Sequence, residues 1–184
     1  MGCAIGRRMR ARHPSPPRLW LMTDERMGAR LWVALERLPH GSGVVFRHYR
    51  LPLAERRALF ARVAKVARRR GLVLLRAGEQ RLGRWEDGTH GTRRRVRGWY
   101  SRAAHSPDEV VAGLRTGADL LFVSPVFATR SHPGATTLRP VRLGMLMRGV
   151  AVPVIALGGM DEGRARRLRG LGVYGWAGID AWAG

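Results

Sequence analysis

Short apolar runs alternate along the chain with longer amphipathic stretches, which predicts strands followed by helices in a parallel α/β architecture. The first run, Leu19-Trp20-Leu21-Met22, leads into 27–38, where Leu31, Trp32, Leu35 and Leu38 recur at helical spacing. Gly43-Val44-Val45-Phe46 follows. A helix over 53–70 then gathers Leu59, Phe60, Val63 and Val66 on one face and arginines on the other. Leu72-Val73-Leu74-Leu75 closes this regular stretch. In 76–97 the period fades, and only 85–90 reads as a short strand.

Periodicity returns at Trp99-Tyr100-Ser101. Ser106-Pro107-Asp108-Glu109 combines an N-cap hydroxyl, a proline at the first helical position and a capping glutamate, so a helix starts there. It stops near Gly117. Asp119 to Val123 is a strand buried on both faces, followed by a helix over 141–148 and a strand over 152–157. Gly158-Gly159-Met160-Asp161 opens a helix over 161–170, and 175–180 is the last strand. Eight candidate strands result, with no helix after the eighth. The pattern fits either a closed (β/α)8 TIM barrel or an open α/β sheet. Such a barrel uses about 200–250 residues. Within 184 residues it would be trimmed at 76–97 and lack its final helix.

An apolar share of 45% is enough for one domain over 18–184, preceded by a flexible basic tail over 1–17. The charge of +21 comes from 34 Lys+Arg against 13 Asp+Glu. Such a balance attracts phosphorylated small molecules or polyanions. The arginine clusters at 7–12, 68–70, 93–95 and 164–169 are scattered, with no aromatic-rich strand among them. Solvated helix faces therefore explain them better than a nucleic-acid interface. The single cysteine, Cys3, excludes an internal disulfide and fits a reducing cytoplasm. No apolar stretch suits a signal peptide or a membrane span.

Two segments offer chemistry. Gly158-Gly159 lies between a strand and a helix, where backbone N–H groups and the helix dipole would receive a phosphate. The run from Ser124 to Gly134 carries Thr129, Arg130, Ser131 and His132, donors suited to phosphate oxygens. His105, between a strand and a helix, is a candidate acid or base. Arg47 ends a strand and would point into a barrel mouth.

Several of these motifs occur in a familiar order: Leu21-Met22-Thr23-Asp24, Phe46-Arg47, Asp87-Gly88-Thr89-His90, Ala104-His105-Ser106, Gly117-Ala118-Asp119, Ser124 to Thr129, and Pro153 to Met160. Over residues 18–182 the chain resembles the thiamine phosphate synthase family, which also contains thiazole tautomerases. The resemblance implies a (β/α)8 barrel that joins a pyrimidine diphosphate to a thiazole phosphate, with Mg²⁺ as cofactor. By position, Arg47, Thr129 and Ser131 look like diphosphate contacts. Gly158, Gly159 and the backbone near Ile179 look like the thiazole-phosphate site.

Departures accompany the likeness. Val45 and Tyr49 flank Arg47 where the family has Gln and Lys, and Ala103 replaces a serine. His132 replaces a lysine, Pro125 stands where some tautomerases have histidine, and Asp180 replaces a serine near the phosphate. Metal-binding acids fall at Ala77-Gly78 and near Arg95. Besides the synthase reading, two others stand. One is a non-catalytic or tautomerase-like barrel that binds phosphorylated thiamine intermediates, and the other is a polyanion-binding protein. At Gly159 the reading expects valine to block a phosphate and leave the fold largely intact.

Overall fold

Strands that are apolar on both faces must be covered on both, and here one face lines a barrel while the other meets helices. In this computed structural model residues 15–128 and 137–182 are described. The strands are β1 (Leu19–Met22), β2 (Gly43–Phe46), β3 (Val73–Ala77), β4 (Gly88–His90), β5 (Trp99–Ala104), β6 (Leu120–Val123), β7 (Val154–Ala156) and β8 (Gly175–Gly178). Each pairs in parallel with the next, and β8 closes the ring on β1 through Leu19↔Trp176, Trp20↔Ala177 and Leu21↔Gly178. The closed barrel is thus the alternative realised.

The helices are α1 (Arg30–Arg37), α2 (Leu53–Arg69), α3 (Pro107–Arg115), α4 (Arg139–Leu146) and α5 (Glu162–Arg167). A 3-10 turn, Glu25–Met27, takes the start of the helix expected over 27–38. The α3 start follows its capping signals. Ser106 Oγ accepts the Glu109 N–H at 3.3 Å, and the Glu109 carboxylate reaches back to the His105 N–H at 2.7 Å. No helix forms over 78–98, so the barrel is trimmed where periodicity fades. After β8 the described residues hold one 3-10 turn, Asp180–Trp182. At the other end, the Pro16 and Pro17 carbonyls accept from Tyr174 Oη and Trp20 Nε1 at 2.9 and 2.7 Å. Part of the expected tail therefore belongs to the barrel wall. Residues 1–14 lie outside the described residues.

The core has three parts. One outer cluster joins α1 and α2 to the outward faces of β1–β3, from Leu21 to Leu82. A second joins α3–α5 to the outward faces of β5–β8, from Tyr100 to Trp176. The third fills the barrel itself, with Trp20, Leu75, Trp99, Leu120, Phe122 and Ile155 among its members. Trp20 is fully buried there, edge-on to Phe122 with centroids 5.2 Å apart. Its ring lies where a Cβ on Gly43 of the neighbouring strand would go, so the indole fits only because that position is glycine.

Candidate active site

Side chains become small towards the C-terminal ends of the strands, and the barrel opens there. A cavity of about 840 Å³ results, walled by Met22, Ala103, Ala177 and Gly178 and reached by longer polar side chains. This is the end at which barrel enzymes carry their chemistry. Arg47, His105, Gly158, Gly159 and Ile179 all line it, so these sequence-predicted residues converge. Thr129, Ser131 and His132 lie outside the described residues.

The β1–β2 wall is built around Arg47. Its Nε donates to the Thr23 carbonyl at 2.8 Å and its Nη2 to Asp24 Oδ2 at 3.0 Å. The Arg47 N–H donates to Thr23 Oγ1 at 3.0 Å, and that hydroxyl also meets His48 Nδ1 at 2.9 Å. Burial pushes the Arg47 guanidinium below its ordinary value, against the pull of Asp24. Burial also raises the Asp24 carboxyl, but its hydrogen bonds from Arg26 and the charges of Arg26 and Arg47 outweigh this, holding it below the usual range. Arg47 is a fixed cation with two of its three nitrogens engaged.

At the cavity floor stands His90, which sequence reasoning placed only within a motif. It is 6% exposed, and its ring meets Phe122 edge-on at 5.1 Å. Ser101 Oγ donates to the Thr89 carbonyl at 3.3 Å, so its oxygen accepts from His90 Nδ1–H at 2.9 Å. This tautomer leaves Nε2 as an acceptor. Burial, with Arg47 and Arg102 nearby, pushes the imidazole down to about 3. The unfolded chain takes up this proton below about 6.5, whereas the folded one does not until about 3. His90 therefore contributes stability above pH 6.5 that is lost as pH falls towards 3, at up to about 1.4 kcal/mol per unit. Urea unfolding across this range should show the slope, and His90→Asn should flatten it. An unchanged acid limb in the variant would assign the slope to other groups.

The opposite wall comes from β5–β8. His105 donates from Nδ1 to the Ser124 carbonyl at 2.9 Å, and it is exposed at the rim. Gly158 and Gly159 have φ of 93° and 58°. A Cβ on Gly159 would strike the Ala128 carbonyl oxygen, so glycine is required by the passing chain as well as by the backbone angle. The expectation that valine there would spare the fold is corrected on this ground. The helix start expected to receive a phosphate carries a carboxylate of its own. The start of α5 is already capped by Asp161, whose Oδ1 accepts the Arg164 N–H at 2.7 Å. Arg164, which the sequence reading passed over, lines the cavity instead and donates to the Gly159 carbonyl. Asp180 lines the same wall, and its charge raises Arg26 above its ordinary value alongside the stronger effect of Asp24.

Arg95 does not reach this mouth. It forms a two-point ion pair with Asp119 at 3.0 and 2.9 Å, at the start of β6 and hence the other end of the barrel. Its placement near a metal site is corrected, because 76–97 carries no period to fix the register. After β3, the Ala77 carbonyl accepts from Arg56 at 2.8 Å and the Gly78 carbonyl from Arg76.

The family model described as thiamine monophosphate synthase matches residues 89–182, the half that supplies β4 to β8. The chain belongs to the thiamine monophosphate synthase family. It is 34% identical over 82 residues to the thiamine-phosphate synthase of Chloroflexus aurantiacus, covering 43% of this chain and 37% of that one. It is 30% identical over 155 residues to the thiamine biosynthesis bifunctional protein ThiM/ThiE of Symbiobacterium thermophilum, covering 77% and 32%. These matches thus span well under two thirds of the length of either relative. In three dimensions the barrel resembles the thiamine phosphate pyrophosphorylase of Pyrococcus furiosus, with a TM-score of 0.76 at 21% identity over 91% of this chain and 87% of that one. Among the described residues no helix is long and apolar enough to cross a membrane.

Proposed function

We propose that this chain joins a pyrimidine diphosphate to a thiazole phosphate, as a thiamine phosphate synthase. The observation that carries this reading is the pair of cationic poles in one cavity. Arg47 ends β2, while Arg164 stands beside Gly158-Gly159 after β7, three strand positions away around the ring. Two phosphorylated reactants require two such poles, and family membership supports this particular coupling.

In the reaction, the bond between the pyrimidine's exocyclic carbon and the diphosphate oxygen breaks, and pyrophosphate leaves with the electron pair. The thiazole nitrogen donates its own pair to that carbon and becomes the thiazolium. Positive charge on the pyrimidine and negative charge on the leaving group develop together, so fixed donors aimed at the leaving group lower the barrier. Arg47 takes this role with Thr129, Ser131 and His132. Gly158, Gly159, Arg164 and the backbone at Ile179 hold the thiazole phosphate. His105 at the rim exchanges a proton with the released pyrophosphate. The neutral His90 accepts a hydrogen bond from a substrate donor at the floor. The single cysteine fits a cytoplasmic setting for this chemistry.

Mg²⁺ is implied by the family resemblance, but the described residues do not fit it. Hard oxygen ligands are needed. Asp24 is held by Arg26 and Arg47, and the carbonyls after β3 face arginines. In this reading Arg47 supplies the positive charge at the leaving group, and no step is routed through the metal. The same donor set favours a second reading, a barrel that binds these intermediates without turnover. Incubating the chain with both precursors, with and without Mg²⁺, separates the two. Thiamine phosphate formed in excess of protein supports synthesis, while calorimetric binding without product sinks it.

Asp180 provides a finer test. Its carboxylate shares a wall with the glycine pair, and like charge weakens phosphate binding. Asp180→Ser should tighten thiazole phosphate binding about fivefold, or ~1 kcal/mol. Affinity for the unphosphorylated alcohol should stay unchanged. Equal changes for both ligands would place the carboxylate away from the phosphate.

A further inference from the structure

The missing helix between β3 and β4 exposes a flank unlike the rest of the barrel. Residues 78–87 run along α2 instead of forming a helix of their own. Arg57 Nε approaches the Arg81 carbonyl at 3.4 Å, Leu82 is buried, and the Arg68 guanidinium lies 4.0 Å over the Trp85 ring. Between the two segments is a shallow hollow of about 550 Å³, lined by Ala61, Lys65, Arg68, Arg69 and Trp85. Trp85 is 57% exposed. The solvent face of α2 carries Arg57, Arg62, Lys65, Arg68 and Arg69, while its one acid, Glu55, lies in the first turn. Among the described residues Glu36 answers Arg69, but no carboxylate pairs with Arg57, Arg62, Lys65 or Arg68. On the other side of α2, Arg62 lies 4.5 Å over Trp32.

We propose that this flank binds single-stranded nucleic acid, with phosphates on the α2 cations and a base on Trp85. The charge makes the partner anionic and argues against a second copy of a chain carrying +21. From Arg57 to Arg69 the cations span about 18 Å at 1.5 Å per residue, a track several nucleotides long. One face of Trp85 meets Arg68, and its large exposure leaves the other for an unpaired base. A duplex hides its base faces and offers only its phosphates. Arginines scattered along the sequence argued against such a partner, but the fold gathers those of α2 beside an indole. This site stands apart from the barrel mouth and does not rest on the coupling reaction.

The test uses the full chain and a fluorescently labelled ten-nucleotide oligo-dT, followed by anisotropy across a salt series. Lys65→Gln combined with Arg68→Gln should weaken binding at least tenfold and reduce the salt slope by about 1.4, roughly 0.7 for each phosphate contact. Trp85→Ala should weaken it about tenfold with the slope unchanged, since stacking releases no counterion. Both variants alter exposed side chains, and their thermal unfolding should match that of the parent. Inorganic polyphosphate of equal charge should compete at least tenfold less well than unlabelled oligonucleotide. Any of three results would overturn the proposal: full affinity in both variants, polyphosphate competing equally, or preferential binding to anionic phospholipid vesicles.

Discussion

Trp20→Ala lowers the free energy of unfolding by about 3–5 kcal/mol, the range for removing a buried aromatic side chain. Trp20 is fully buried, packs on Phe122 and donates its indole N–H to the Pro17 carbonyl. Truncation opens a cavity inside the barrel, where strands on every side prevent collapse. Urea unfolding measures the loss. Gly43→Val supplies the matching test, because its side chain would enter the space of that indole. Alone it is costly through overpacking. Combined with Trp20→Ala it costs far less, since the second change vacates the space the first requires. Strict additivity of the two would show that the indole does not occupy the position assigned to it.

On the proposed coupling reaction, Arg47→Ala should reduce thiamine phosphate formation by roughly 100- to 1000-fold, the usual effect of losing a preorganised donor to a developing anion. Lysine recovers little. A single ammonium cannot hold Thr23 and Asp24 while also presenting a nitrogen to the leaving group. The rate is followed with both precursors at saturation, and a thiazole phosphate titration accompanies it. The substitution should lower the rate and leave thiazole phosphate affinity near that of the parent, because the proposed function assigns that ligand to the Gly158-Gly159 pole. A variant retaining more than about a third of the parent rate would remove Arg47 from the chemistry.

Local signals read most faithfully. Ser106-Pro107-Asp108-Glu109 announces α3 because caps are short-range chemistry, and the apolar run before Ser124 announces β6 because burial on both faces leaves no polar alternation. The closure of the ring was less legible, since a strand's own residues look alike in a barrel and in an open sheet. Convergence of Arg47, His105 and Gly159 follows once every strand end is known to share a rim. Other features depend on partners distant in sequence. Arg95 belongs to Asp119 at the far end of the barrel, and nothing in 76–97 reveals that. The neutrality of His90 comes from burial against Phe122, with Arg47 and Arg102 nearby. Asp161 reads as an ordinary N-cap, and its carboxylate does cap the start of α5. The i+3 spacing from Asp161 to Arg164 could have flagged the arginine.

Behind β4 no helix bridges the two outer clusters, and on the opposite side of the ring Trp182 packs against both. The outer shell is therefore a broken ring, open behind β4 and fastened across the seam where β8 meets β1. A change in the packing of α1 or α2 reaches the other helices by way of Trp182 and its stack on Trp176. The family model begins its match at residue 89, within β4, the strand behind which that shell is open.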